Sequence, residues 1–130
     1  MIRMNAAKIA EIVGGQLNVE GATEITLAPV FDSRKATAGS FFLALIGENA
    51  DGHDFIDDAL KNGASFALVS KDVTQPNIRV LDVYEALGKL AAYVRMQLPN
   101  LKVIGITGSQ GKTTTKDLLH HILESIGPTI

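Results

Sequence analysis

Eight consecutive residues, Thr107-Gly108-Ser109-Gln110-Gly111-Lys112-Thr113-Thr114, hold the clearest chemistry in the chain. Gly108 and Gly111 free the backbone to curl, so that successive N–H groups point inward. An ammonium group, Lys112, and two hydroxyls follow at once. Such a set grips polyanionic oxygen. The amides and the start of a following helix supply partial positive charge. Lys112 reaches the outer phosphates of a nucleotide, and the Thr113 hydroxyl is a hard oxygen ligand suited to Mg2+. The layout is that of a P-loop with one departure. The general pattern G-x-x-x-x-G-K-[ST] puts its first glycine at position 106, which is Ile106; the nearby glycine is Gly105. The plainer alternative is a glycine-bearing turn followed by a solvated lysine.

A loop of this kind needs a strand before it and a helix after it. Lys102–Thr107 is apolar enough for the strand. Residues 112–125 give the helix, with Leu118, Leu119, Ile122, Leu123 and Ile126 on one core-facing stripe. Upstream, Asn5 caps a helix over 6–13 that Gly14-Gly15 ends. Extended segments are expected at Gln16–Val19, Glu24–Val30, Phe41–Ile46, Ala64–Ser70 and Asn77–Leu81. A helix is expected over Asp54–Asn62. Another opens at Asp82, where Asp82-x-x-Glu85 has capping-box spacing, and its stripe reads Leu87, Leu90, Ala91, Val94, Leu98. Alternating strands and helices predict an α/β fold. Pro99-Asn100 marks a break, giving domains 1–98 and 99–130.

Composition narrows the function. With 12 basic and 14 acidic residues the net charge is −2, so no basic excess exists to hold duplex nucleic acid. Zero cysteine excludes disulfides, thiolate metal sites and thiol nucleophiles. The longest apolar run, Phe41–Ile46, is far short of the ~20 residues that cross a bilayer. The N-terminus carries no secretory pattern, so a cytoplasmic protein without membrane insertion is expected. Glu48, Asp51, Asp54, Asp57 and Asp58 do not follow a calcium-loop spacing and read as a solvated face near a helix start. His53 reads as a turn or cap residue, and His120 and His121 as surface. Arg34 either meets a diphosphate or pairs with a neighbouring acid.

The loop Thr107–Thr114 resembles that of the Mur ligases, the ATP-dependent amide-forming enzymes of peptidoglycan synthesis. Their pattern T-G-[ST]-x-G-K-[ST] also lacks the first P-loop glycine. Phe31-Asp32-Ser33-Arg34-Lys35, Gly39-Ser40-Phe41-Phe42-Leu43-Ala44-Leu45, Gly47-Glu48 and Asp51-Gly52-His53-Asp54-Phe55 are similar to the substrate-binding domain of two branches, one adding the third peptide residue and one adding D-alanyl-D-alanine. Thr107–Thr113 followed by Lys116-Asp117, together with Leu90–Arg95, is more similar to the D-alanyl-D-alanine-adding branch.

The resemblance implies a small mixed-sheet domain that binds UDP-linked substrate, followed by the first strand–P-loop–helix unit of a truncated ATPase domain. It implies a monomeric enzyme using ATP and Mg2+. ATP would phosphorylate the terminal carboxylate of UDP-MurNAc-tripeptide, and the amine of D-Ala-D-Ala, held outside this segment, would attack the acyl phosphate. Gly108, Ser109, Gln110, Gly111, Lys112, Thr113 and Thr114 would hold ATP, Lys112 would stabilise the transferring phosphoryl group, and Thr113 or Thr114 would hold the metal. Ser33, Arg34, Glu48, Asn49 and Ala50 would meet the UDP end. The chain stops one helix after the loop, so the 130 residues alone are expected to be inactive. The alternatives are the third-residue-adding branch and a non-catalytic nucleotide-sugar-binding module.

Overall fold

Asn5 starts the first helix as its residue type dictates: its side-chain oxygen accepts the Lys8 N–H at 2.8 Å. The computed structural model describes residues 3–129. Strand β1 (Met4–Asn5) leads into α1 (Ala6–Val13), which buries Ala6, Ile9, Ala10 and Val13. Gly14 ends α1 at φ 69°, a left-handed turn that glycine adopts without penalty. Then come β2 (Gln16–Asn18), β3 (Glu24–Ile25), a 3₁₀ turn over Ser33–Lys35 and β4 (Phe42–Leu43). A second 3₁₀ turn (Gly52–Phe55), α2 (Ile56–Lys61), β5 (Ala67–Val69), β6 (Asn77–Arg79) and α3 (Val83–Met96) follow.

β4, β5 and β6 are parallel, β2 joins β6 antiparallel, and the sheet order is β2-β6-β5-β4. Val30 extends the parallel set by bridging Phe42. β1 and β3 form a separate antiparallel pair. This is the α/β architecture that the residue pattern predicts, with the mixed sheet that the resemblance implies.

Alternation along the strands sorts side chains onto two faces. Phe41, Leu43, Phe66, Leu68, Ile78 and Val80 meet α1 and α3. The Phe41 and Phe66 rings stack there with centroids 5.2 Å apart. Phe42, Ala44, Ala67 and Val69 meet α2 through Ile56 and Ala59.

Several elements are shorter than their apolar runs. Glu24–Val30 is not one strand: Thr26 and Leu27 both donate to the Gly39 carbonyl at 3.0 Å, and Pro29 has no N–H for a ladder. Phe41–Ile46 ladders only at Phe42–Leu43, because Leu45 N–H turns back to the Leu43 carbonyl at 3.0 Å. Asp82 caps α3 by accepting the Glu85 N–H at 2.9 Å. The buried stripe of α3, however, runs Val83, Ala86, Leu90, flanked by Leu87, Tyr93 and Val94; Ala91 and Leu98 face solvent.

One compact unit ends at Pro99 and a second begins at Asn100. The second holds α4 (Lys112–Glu124). Residues 102–107 form no ladder, since no segment among the described residues pairs with them. The α4 stripe is open rather than core-facing: Leu118 is 62%, Ile122 52% and Ile126 79% exposed. A single helix and one unpaired segment give it too little cover. Among the described residues no helix is long and apolar enough to cross a membrane.

Candidate functional site

The phosphate-type loop lies at the head of α4. Gly111 is the N-cap residue at φ 76°, and Gly108 sits at φ 155°. A Cβ at Gly111 would meet nothing within 4 Å, so the glycine answers a dihedral requirement and not a crowded one. Thr115 N–H closes the first helical bond onto the Gly111 carbonyl at 2.9 Å. Lys112 reaches back across the loop, its Nζ donating to the Gly108 carbonyl at 2.5 Å. The course is therefore curled, with the ammonium spanning it from one glycine to the other.

No acidic residue stands in the first turn of α4, and no side chain caps it. Its leading N–H groups are thus left for an external anion. Gly108, Ser109, Gln110, Gly111, Lys112, Thr113 and Thr114 are all exposed. This donor set fits a nucleotide's phosphates. The hydroxyls of Thr113 and Thr114 suit Mg2+, which keeps several waters and binds through few protein oxygens. Among the described residues no group of three or more acidic, His or Cys side chains could hold a metal ion.

The other candidate residues lie at the carboxyl ends of the parallel strands, where open α/β sheets bind ligands. Ser33 follows Val30 in the first 3₁₀ turn, and its carbonyl accepts from Asn62 Nδ2 at 3.1 Å. Arg34 does not stand free. It grips Asp32 in a fork, Nε to Oδ1 at 2.9 Å and the terminal nitrogen to Oδ2 at 2.8 Å. That fork is the main reason the Asp32 carboxyl is held down to about 2.

Glu48, Asn49 and Ala50 lie together on a tight hairpin. Ile46 bridges Asp51, and Gly47 N–H donates to the Ala50 carbonyl at 2.9 Å, which leaves Glu48 and Asn49 exposed at the tip. Asp51 ends the hairpin and caps the second 3₁₀ turn, accepting the His53 N–H at 2.9 Å. Its Oδ1 also pairs with His53 Nδ1 at 2.6 Å, and its Oδ2 pairs with Lys71. The Lys71 hydrogen bond, then the two from His53, hold the Asp51 carboxyl well below the usual range; Asp51 in turn raises Lys71.

Some of this was hidden in the residue pattern. Lys71 stands 20 residues from Asp51, with no local motif to join them. A cleft of about 220 Å³ lined by Ala44, Ile46, Ser70, Leu81, Asp82, Val83 and Tyr84 is likewise assembled from distant segments. The acidic run contributes a polar tie: Asp57 accepts from Gln75 at 2.9 Å. His120 pairs with Glu124 at 3.2 Å on the exposed face of α4.

A profile of the Mur ligase family, catalytic domain, matches residues 30–95, the stretch that builds these strand ends. The chain belongs to the Mur ligase family. It is 43% identical over 133 aligned residues to UDP-N-acetylmuramoyl-tripeptide--D-alanyl-D-alanine ligase of Escherichia coli K12. That alignment takes in 100% of this chain and 28% of the relative. UDP-N-acetylmuramoyl-L-alanyl-D-glutamate--2,6-diaminopimelate ligase of Oceanobacillus iheyensis is 44% identical over 98 residues, 72% of this chain and 20% of that one. Among solved structures, MurF from Acinetobacter baumannii superposes with a TM-score of 0.88 at 38% identity, over 97% of this chain and 28% of its own. MurF from Thermotoga maritima, solved in complex with ADP, gives a TM-score of 0.63 at 36% identity over 77% of this chain and 24% of its own. The chain thus spans less than a third of the length of each of these relatives.

Proposed function

We propose that these 130 residues hold the UDP end of the substrate and the phosphates of ATP in a ligase that adds D-Ala-D-Ala to UDP-MurNAc-tripeptide. The observation that carries the reading is the curled loop from Gly108 to Lys112, set at an uncapped helix start in the same chain as the strand-end hairpin. The branch is favoured because the alignment to the D-Ala-D-Ala ligase takes in 100% of the chain, while those to two diaminopimelate ligases take in 85% and 72% of it.

When bound, ATP supplies the phosphoryl group that activates a carboxylate for amide formation, and Mg2+ neutralises its phosphates. The chain's own residues do the gripping. The N–H groups of Ser109 to Thr113 would hold phosphate oxygens. Lys112, which donates to the Gly108 carbonyl, would hold the outer phosphates and would offset their charge. The hydroxyl of Thr113 or Thr114 would hold the metal. Ser33 and the hairpin of Glu48, Asn49 and Ala50 meet uridine and ribose. Arg34, already committed to Asp32, orients that turn and contributes its outward edge to the diphosphate. A substrate pair of ATP and a UDP-linked peptide belongs to the cytoplasm. The 130 residues alone, spanning 28% of the E. coli relative, do not turn over.

Calorimetric titration tests this. Native chain should bind both UDP-MurNAc-tripeptide and Mg-ATP, and Lys112→Ala should lose only Mg-ATP. Binding of the UDP ligand with no response to Mg-ATP in the native chain would favour a non-catalytic nucleotide-sugar module. ADP release dependent on both tripeptide and D-Ala-D-Ala would contradict the absence of turnover.

A further inference from the structure

We infer that Lys71 is a positioning residue for the UDP-linked substrate, acting through an Asp51–His53 clasp that sets the angle of the Gly47–Ala50 hairpin. The inference rests on the reading that this hairpin meets the UDP end. A two-strand hairpin this short does not hold its own orientation in water. Its internal bonds are few: Gly47 to Ala50 at 2.9 Å and Gly52 to Leu45 at 2.8 Å. What fixes it to the sheet is a relay of polar contacts. Ser70 N–H, just past β5, donates to His53 Nε2 at 3.1 Å. An Nε2 that accepts carries no proton, so Nδ1 carries it and donates to Asp51 Oδ1 at 2.6 Å. The second Asp51 oxygen is taken by Lys71, the residue after Ser70. Both oxygens of Asp51 are thereby tied to the carboxyl end of one central strand.

The three members differ in kind. The His53 side chain is 6% exposed and its loss would disturb packing. Lys71 is half exposed and belongs to neither apolar cluster. Removing its ammonium therefore releases one Asp51 oxygen without opening a cavity. It also leaves Asp51 without its cationic partner, an unscreened negative charge at the foot of a hairpin that must meet an anionic UDP-linked substrate. Position and charge both predict weaker substrate binding.

The test uses the chain as it stands, with UDP-MurNAc-tripeptide as the probe. Lys71→Met should raise its Kd about tenfold, as loss of a preorganised binding geometry does. Lys71→Arg should restore it to within about twofold, since a guanidinium can pair with the same oxygen. Amide hydrogen exchange at Gly47 and Gly52 should quicken in the Met variant without ligand, while Mg-ATP affinity and the ligand-free melting temperature hold. Unchanged Kd in the Met variant, failure of Arg to recover it, or unchanged exchange at Gly47 and Gly52 would overturn the inference. Native chain that does not bind the UDP ligand would remove the functional reading and this inference together. Native binding that survives Lys71→Met removes the inference alone.

Discussion

The backbone N–H of Ser70 donates to the imidazole Nε2 of His53 at 3.1 Å, across 17 residues of sequence. The bond makes His53 a structural acceptor and assigns its proton to Nδ1. His53→Ala would strand a Ser70 donor and weaken Asp51, at a cost of about 2–3 kcal/mol in urea unfolding. His53→Gln, whose carbonyl reaches the Ser70 N–H, should cost about half as much. Nitrogen NMR of the ring should show Nε2 as the unprotonated atom. Equal costs for the two variants would contradict the assignment.

Gly52 is held by contact and not by dihedral. A Cβ there would lie 2.6 Å from the Leu45 nitrogen and 2.7 Å from its oxygen. Gly52→Ala must pry the two arms of the hairpin apart at Leu45 and Ala44. Stability should fall by about 1–3 kcal/mol, as overpacking does, and affinity for UDP-MurNAc-tripeptide should fall with it. Thermal unfolding and titration calorimetry read the two effects.

Gly111 poses the opposite case, open space at φ 76°. Gly111→Ala meets no atom but places a side chain in the left-handed region, costing about 1–2 kcal/mol locally. The loop should relieve this by turning the 111–113 amides, so Mg-ATP binding is lost while UDP-ligand binding stays. Retained Mg-ATP affinity would show that the curl is not what grips the phosphates.

Asp32 titrates low because Arg34 holds its charged form, with a value of about 2 against an ordinary 3.8. A carboxyl lowered in the folded state binds fewer protons there than when unfolded. Its stabilising effect is complete above about pH 4 and fades as pH drops toward 2. Carbon-detected NMR titration of Asp32 should give its midpoint near 2, and Arg34→Gln should return it toward 3.8. A midpoint unmoved by that substitution would remove the fork as the cause.

Local chemistry was the legible part of this molecule. Asn5, Gly14 and Asp82 act as caps within three or four residues of the groups they serve, and each does what its type foretells. The loop at 108–112 is likewise a short-range object. What escaped depends on distance. Leu45 turning back on Leu43 shortens β4, and Gly39 taking two N–H groups diverts the segment before it. The stripe of α3 sits toward its N-terminus, where Val83, Ala86 and Leu90 join the cluster that α1 also enters, while Ala91 and Leu98 lie outside it. Lys71 carried no signal at all, since only the folded sheet brings it to Asp51.

The two faces of the sheet carry unequal bulk. Where α1 and α3 lie, aromatic and branched side chains fill most of the gap; beneath α2, Phe42, Val69 and Ile56 are set among Ala36, Ala44, Ala59, Ala64 and Ala67. The alanine positions of that second face are thus vulnerable to gaining atoms. A methyl added to the alanine side would lever α2, and with it the adjoining turn that ends at Phe55, away from the sheet. Variation tolerated there should run toward glycine or serine, while the opposite side should exchange one large hydrocarbon for another.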